Sequence, residues 1–391
     1  MKRDRHGDAT SGDDNDDAYM LRALELARRG TARVHPNPLV GAVVVQGGRV
    51  VGEAFHTYER RTHAEPLALA QAGAQASGAT LYLNLEPCCH TGRTGPCTAA
   101  ILAAGVRRVV TAMADPNPVV GGRGIRQLRR AGVQVDVGLR ADEAGELNEA
   151  FSRWVLTGRP FVTLKAALTL DGQIASPLRK EKWITSAESR NEVLQIRHAS
   201  DAILAGVGTV IADDPRMTDR TGLPRRRALL RVVLDSRLRL PLNSKIVKSA
   251  DGDVLVFATR SADPRKAAAL ARKGVEVVQL GAGRTGGGRV SVREAIVELG
   301  RRQVLSVLIE AGSRLNGAAL DAKIVDKMIL FYAPRILGTT VAPVALSGAK
   351  VHSLAAASEL TNLRLRRVGP DFVVEGYCTD VYGNHRSHRK N

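Results

Sequence analysis

Short β-branched runs alternate with amphipathic stretches along most of the chain. Leu39–Gln46 and Arg49–Phe55 are two such runs, joined by Gly47-Gly48, a two-residue turn that suits a hairpin. Ahead of them, Met20, Leu21, Leu24 and Ala27 fall on one face of a helix that Asp16 or Asp17 can cap and Gly30 can end. Behind them the pattern predicts a helix from His63 to about Ala74, a strand Thr80–Leu85 and a helix starting at Cys97. A strand Arg107–Ala112, a helix near Arg123–Arg130, a strand Val133–Val137 and a helix Asp142–Thr157 follow. Strands that alternate with helices predict an α/β domain with its sheet between helix layers.

Gly158-Arg159-Pro160 reads as a linker, and a second series opens at Phe161. Its predicted strands are Phe161–Ala167, Asp201–Ala205, Leu230–Leu234, Val254–Phe257, Val275–Leu280, Val304–Ile309 and Lys327–Tyr332. Helices fit Ser186–His198, Asp263–Arg272, Val292–Leu299 and Arg314–Ala322. The second series does not repeat the first. With 391 residues, two domains are expected: 17–158 and 159–380, flanked by a disordered tail over 1–16 and a basic tail over 381–391.

Composition narrows the setting. No apolar run is long enough to span a bilayer, and the polar N-terminus carries no signal-peptide pattern. Three of the four cysteines cluster between Cys88 and Cys97, which points to metal rather than to a disulfide framework and to a reducing cytoplasm. The net charge of +18 is spread through both halves and favours anionic partners, whether phosphorylated metabolites or nucleic acid. Aromatic residues make up only 4%, leaving few stacking platforms for single strands.

The densest chemistry is His63-Ala64-Glu65, then Pro87-Cys88, then Cys97. One imidazole and two thiolates supply three of the four ligands of a tetrahedral Zn²⁺ and leave a position open for water. Glu65 lies near enough to carry protons without binding the metal. This is the signature of zinc nucleobase deaminases, except that eight residues separate the cysteines instead of two. A structural zinc site with His90 or Cys89 as fourth ligand is the competing reading; Cys89 and Cys378 are otherwise bystanders. In the second half, Gly281-Ala282-Gly283-Arg284-Thr285-Gly286 fits a dinucleotide fingerprint by spelling, but no helix opens at its third glycine, so it reads as a loop. Glu310-Ala311-Gly312-Ser313-Arg314-Leu315-Asn316-Gly317 follows a strand and feeds a helix, a better place for a pyrophosphate.

The Cys88–Cys97 spacing with Gly92-Arg93-Thr94-Gly95-Pro96 inside it resembles the bifunctional deaminase/reductase of riboflavin biosynthesis. So do Pro36-Asn37-Pro38, Asp115-Pro116-Asn117-Pro118, Lys165–Gly172, Trp183-Ile184-Thr185-Ser186, Gly206-Val207-Gly208-Thr209, Ala212-Asp213-Asp214-Pro215, Val233-Leu234-Asp235-Ser236 and Glu310-Ala311-Gly312. The resemblance covers about residues 18–378. It implies a cytidine-deaminase-like α/β/α domain, then a dihydrofolate-reductase-like α/β domain that binds NADPH. It further implies that Asn37 meets the pyrimidine, and that Arg197, Met217, Arg220 and Glu310 face the substrate of the reductase half. Ala167, Trp183, Thr209, Asp213, Ser236 and Gly312, Ser313, Arg314, Leu315, Asn316, Gly317 and Ala318 would face the cofactor. The implied substrate is a phosphorylated pyrimidine, and a homo-oligomer is expected.

Three departures touch the substrate. Pro66-Leu67 stands where the family usually carries a second histidine, Ser176–Lys182 replaces a Gly/Ser-rich loop, and Glu181 replaces a common serine. A paralogue acting on a related pyrimidine and a nucleic-acid-editing deaminase are the alternatives. The second half, with its reductase segments, argues against nucleic acid.

Overall fold

The computed structural model describes residues 13–91, 95–175, 183–281, 288–339, 342–347 and 359–379. The Gly92-Arg93-Thr94 stretch, the Ser176–Lys182 segment with Glu181, most of the Gly281–Gly286 run, residues 1–12 and the basic tail lie outside them. The chain divides into two compact units, Met1–Leu156 and Thr157–Asn391.

The first unit runs α1 (Asp13–Arg28), β1 (Gly41–Gln46), β2 (Arg49–Phe55), α2 (Ala64–Ala72), β3 (Thr80–Leu83), α3 (Cys97–Ala103), β4 (Arg108–Thr111), α4 (Arg123–Arg130), β5 (Gln134–Val137), α5 (Ala141–Leu147) and α6 (Glu149–Thr157). Its sheet is ordered β2-β1-β3-β4-β5; β2, β1 and β3 are antiparallel neighbours and β3, β4 and β5 are parallel. Period-2 alternation sends Ala42 and Val44 to one core with Ala68, Ile101 and Leu128, and Val43 and Val45 to another with Met20, Leu24 and Ala144. Both faces of the sheet are therefore covered by helices. Helix α2 lies so close to β2 that a Cβ on Gly52 would stand 2.2 Å from the Ala68 carbonyl oxygen, so only glycine permits that approach.

Two sequence expectations change here. Residues 13–16 are not tail: helix α1 begins at Asp13, and Asp16 accepts hydrogen bonds from Tyr82 Oη (2.5 Å) and Arg108 (2.7 Å) while Asp17 pairs with Arg140 (2.6 Å). The acidic run looked solvated because its partners lie far along the chain. The Asp142–Thr157 helix is two helices broken at Asn148, whose amide is spent on both backbone groups of Leu39, 2.8 and 3.0 Å away.

The second unit runs β6 (Phe161–Thr169), α7 (Ala187–Ala199), β7 (Ala202–Gly206), α8 (Val207–Asp213), β8 (Leu230–Leu234), α9 (Lys245–Lys248), β9 (Val254–Thr259), α10 (Pro264–Ala271), β10 (Val275–Leu280), α11 (Val292–Arg301), β11 (Ser306–Ile309), α12 (Ser313–Asp321), β12 (Lys327–Ala333), β13 (Thr361–Val368) and β14 (Asp371–Tyr377). The nine strands are ordered β10-β9-β8-β7-β11-β6-β12-β14-β13, parallel through β12 and antiparallel in the last two pairings. Ala202 and Leu204 join a core with Val162, Leu164 and Leu299; Ile203 and Ala205 join another with Val233, Val256 and Leu270. The chain leaves β6 for β7 on one side and later returns to β11, between β6 and β7. Ligands in such sheets sit outside the strand carboxyl ends at this reversal.

Sequence reading overlooked α8, α9 and the β13–β14 hairpin. The two helices are short, and β13 is an edge strand exposed along nearly its whole length, so it offers no buried run. Alternation of Leu363 and Leu365 with arginines, ending in Gly369-Pro370, was the available signal.

Candidate active sites

In the first unit the ligand-bearing residues sit at two helix N-termini. His63 is the N-cap of α2, Glu65 occupies the first turn of that helix, and Cys97 opens α3. The ligand atoms of His63, Cys88 and Cys97 all lie within 4.8 Å of one another, the one such group among the described residues. His63 Nδ1 stands 3.1 Å from Cys97 Sγ and 3.5 Å from Cys88 Sγ. The Cys97 N–H, at the positive end of α3, donates to Cys88 Sγ at 3.4 Å. A hydrogen bond from the Cys97 thiol lowers the pKa of Cys88, while the same hydrogen bond and burial raise that of Cys97, an environment that favours a thiolate at Cys88. Neither Cys89 nor His90 joins the group.

Glu65 is 3% exposed, its Oε2 has no hydrogen-bond partner among the described residues, and burial raises its pKa. A buried carboxylate oxygen left without a partner beside three soft and imidazole ligands fits a zinc ion with its water, and the donor set fits zinc by chemistry. His63, Glu65, Cys88 and Asn37 line a cavity of about 290 Å³ with His56, Asp115 and Asn117; Cys97 is fully buried behind it.

Sequence reading missed the groups that fix Asn37. His56 Nδ1 faces the Thr62 carbonyl (3.1 Å), so that nitrogen carries the proton and Nε2 accepts from Asn37 Nδ2 (2.9 Å). Burial lowers the His56 pKa, which keeps the ring neutral, and it packs edge-on against His63 with centroids 5.3 Å apart. The Asn37 carbonyl oxygen is left to accept from a ligand. Asn84 and Asn148 both donate to the Leu39 carbonyl (2.8 and 3.0 Å), anchoring the segment two residues on. Glu86 accepts from the N–H groups of Asp115, Gly122 and Ile125 at 3.0, 2.8 and 3.1 Å and so shapes the Asp115–Gly124 loop. Burial pushes Asp115 up to about 6. His56, Asn84 and Glu86 follow strands β2 and β3, and Asn148 lies between α5 and α6, so nothing in the local pattern marks them until the turn they hold is seen.

In the second unit, a long cavity of about 2750 Å³ runs along the carboxyl ends of β6, β7, β8 and β11. It brings together Ala167, Trp183, Thr209, Asp213, Ser236, Gly312, Ser313, Arg314, Leu315 and Ala318 with Arg197, Met217, Arg220 and Glu310. Two of the expected cofactor residues are not there. Asn316 is fully buried and donates to the Ala311 and Ala345 carbonyls (3.3 and 3.0 Å). Gly317 faces Ser347, whose carbonyl oxygen would lie 2.2 Å from a Cβ, so both residues pack α12 against residues 345–347. Neither α8 nor α12 has a side-chain cap, and their N-cap residues Gly206 and Gly312 both line the cavity, which leaves helix-end N–H groups for a pyrophosphate.

Glu310 lies at the centre of a charged cluster that sequence reading named only in part. Arg197 Nε and a terminal nitrogen hold its two oxygens at 2.5 and 2.9 Å, and Lys165 Nζ stands 3.7 Å away. Burial works against the Glu310 charge, but Lys165 and Arg197 outweigh it and keep the carboxyl low; burial lowers Lys165 despite Glu310. Arg197, expected to face the substrate, is therefore engaged with Glu310. Arg220 is exposed and makes no hydrogen bond or ion pair among the described residues.

The loop carrying Met217 and Arg220 is pinned on both sides. Arg231, itself 1% exposed, donates to the Arg216 carbonyl (3.0 Å). On the other side Arg225 donates to the His198 and Ser200 carbonyls at the end of α7 (2.6 and 2.8 Å) and to Asp219 (3.1 Å). Asp219 also accepts from the Thr221 N–H and hydroxyl (3.0 and 2.8 Å) and faces His198 Nδ1 (2.8 Å).

A metal-ready cluster with a buried carboxylate in one unit, and a dinucleotide-sized cavity at the strand ends of the other, define a two-site enzyme of the deaminase–reductase class. Residues 13–113 match the family model described as cytidine and deoxycytidylate deaminase zinc-binding region, and residues 160–374 the RibD C-terminal domain. The chain is 38% identical to the riboflavin biosynthesis protein RibD of Aquifex aeolicus, over 92% of this chain and 97% of that one. It is similar to the solved Acinetobacter baumannii RibD (36% identity, TM-score 0.81, 94% and 99% of the two chains covered). It is also similar to a Thermotoga maritima diaminohydroxyphosphoribosylaminopyrimidine deaminase/5-amino-6-(5-phosphoribosylamino)uracil reductase (34%, TM-score 0.79, 93% and 99%). The chain belongs to the RibD family of riboflavin biosynthesis, with a zinc-dependent deaminase and an NADPH-dependent reductase on one polypeptide.

Proposed function

We propose that residues 17–158 deaminate 2,5-diamino-6-ribosylamino-4(3H)-pyrimidinone 5′-phosphate and residues 159–380 then reduce its ribosyl group to ribityl. The observation that carries the first step is the orphaned Oε2 of buried Glu65 beside the His63–Cys88–Cys97 cluster. A zinc ion held by those three residues supplies the Lewis acidity that makes water nucleophilic near neutral pH. Glu65, its pKa raised by burial, takes a proton from the attacking water and passes it to the departing amine. Asn37, its amide nitrogen committed to His56, accepts from the pyrimidine through its oxygen.

In the second step, NADPH supplies the hydride. Delivery of that hydride to C1′ would break the bond from C1′ to the ring oxygen, and that oxygen would take a proton. Lys165 is the proton donor, because burial weakens its hold on the proton and it lines the cavity with Glu310. Arg197 holds Glu310 in place, and Arg220 presents free guanidinium donors to the substrate phosphate. We read the enzyme as cytoplasmic and homo-oligomeric. None of the described helices is long and apolar enough to cross a membrane, and exposed Leu363, Leu365 and Phe372 on β13 and β14 support self-association.

The test is incubation with the diaminopyrimidine, phosphorylated or dephosphorylated, with and without NADPH. Without NADPH the phosphorylated compound should exchange one amino group for oxygen, and with NADPH it should also gain two hydrogens. Equal use of the dephosphorylated compound would contradict the phosphate assignment.

A further inference from the structure

The reductase cavity extends past the reacting cluster to a second cationic end. Its lining continues from Gly312 and Thr209 to Ser236, Arg237, Arg239 and Arg289, around the carboxyl end of β8. The turn after β8 is rigid. Asp235 Oδ2 accepts from the Leu240 N–H (2.7 Å), the Ser236 carbonyl accepts from Thr259 Oγ1 (2.7 Å), and Ser236 Oγ accepts from the Val290 N–H (3.0 Å). Leu238 and Leu240 are buried beneath it at 3% and 0% exposure, while the alternate residues Arg237 and Arg239 are exposed. The turn therefore presents two guanidinium groups toward the cavity from a fixed backbone.

These arginines are unspent. Arg108, Arg140, Arg197, Arg225, Arg231, Arg302 and Arg366 are each paired with a carboxylate, yet Arg237, Arg239 and Arg289 make no hydrogen bond or ion pair among the described residues. Of the nearby carboxylates, Asp214 pairs with Lys245, Glu294 accepts from the Gly281 N–H (3.1 Å), Asp235 is fully buried and does not line the cavity, and Asp213, at the end of α8, lines it on the β7 side. Dinucleotide sites that take a free ribose diol present an acidic residue to it, whereas sites for a 2′-phosphate present arginine.

Position along the sheet fits the second case. The capless N-terminus of α12 after β11 suits the pyrophosphate, and β7 and β8 are the next two strands on that side. An adenosine ribose is bonded directly to that pyrophosphate, so its 2′ substituent falls within a strand spacing or two, about 5–10 Å. We propose that Arg237 and Arg239 bind the 2′-phosphate of NADPH and set the preference for NADPH over NADH. The proposal rests on the NADPH-dependence of the reductase.

Equilibrium binding to the full-length protein tests it without turnover, with NADPH, NADH, 2′,5′-ADP and 5′-ADP as probes. Arg237→Ala and Arg239→Ala should each weaken NADPH and 2′,5′-ADP about tenfold, and the double variant more, as expected for loss of charge-assisted bonds at a solvent-open site. NADH and 5′-ADP should bind as to the wild type, which also shows that the variants are folded. Unchanged NADPH binding, or equal weakening of NADPH and NADH, would overturn the assignment. Wild-type protein that binds NADPH and NADH alike would instead overturn the cofactor preference on which the proposal rests.

Discussion

The two active sites are built on opposite plans. The deaminase site is small, about 290 Å³, and its reacting groups come from His63 to Cys97, a stretch that carries its own chemistry in a readable spacing. The reductase site is about ten times larger and collects side chains from four strand ends between Lys165 and Ala318. One works through a metal-ready cluster with a single buried carboxylate; the other works through placement of a long cofactor and a pyrimidine substrate by distributed charges. The difference teaches that local motifs report bond-making groups, whereas binding surfaces emerge only when the sheet is assembled.

The contrast predicts that damage is concentrated in one site and spread out in the other. Glu65→Gln should keep about one zinc per chain, measured by elemental analysis, and lose deamination by roughly 10²–10⁴. Reduction of deaminated substrate should be unaffected. Loss of the metal in this variant would make Glu65 structural.

The reductase arginines should separate next. Arg197→Ala leaves buried Glu310 with only Lys165 at 3.7 Å, so kcat/KM for reduction should fall by about 2–4 kcal/mol and the melting temperature should fall with it. Arg220→Ala breaks no hydrogen bond or ion pair among the described residues. Its melting temperature should be unchanged, and its loss, about tenfold, should appear only with phosphorylated substrate. If Arg220→Ala loses stability or Arg197→Ala loses none, the roles assigned to the two arginines are wrong.

The smallest effect belongs to the loop clasp. Asp219→Asn should raise KM several-fold with kcat nearly kept, because Arg220 is then less well placed. Burial opposes the Asp219 charge, but Thr221, His198 and Arg225 pull its pKa from 3.8 down to about 2. A folded-state pKa below the unfolded one stabilises fully above about 4 and fades as pH falls toward about 2. Acid unfolding followed at loop residues should therefore begin at higher pH in Asp219→Asn. A variant whose KM and acid unfolding match the wild type would remove Asp219 as a positioning residue.

Much of this architecture was legible in the sequence, and the gaps have physical causes. Strands such as Arg49–Phe55, Leu230–Leu234 and Val275–Leu280 are read to the residue, because they combine β-branched runs with clear turn signals. The His63, Glu65, Cys88 and Cys97 cluster is legible because metal chemistry constrains both residue type and spacing. Asn84, Asn148 and His56 were not, since each holds the Asn37 turn through a contact 19 to 109 residues away. That Arg197 is held by Glu310 was not legible, because the carboxylate lies 113 residues on. Asn316 and Gly317 lie between residues that line the cavity, yet pack against residues 345–347, because a helix turns successive side chains to different faces.

Independence of the two sites is the central claim, and mass-resolved turnover of Glu65→Gln beside Glu310→Gln tests it most directly. With the diaminopyrimidine phosphate and NADPH, Glu65→Gln should leave the amino group in place yet reduce added deaminated compound at the wild-type rate. Glu310→Gln should accumulate the deaminated, unreduced compound. Loss of both conversions in either single variant, with the protein folded and its zinc retained, would contradict the assignment of one reaction to each unit.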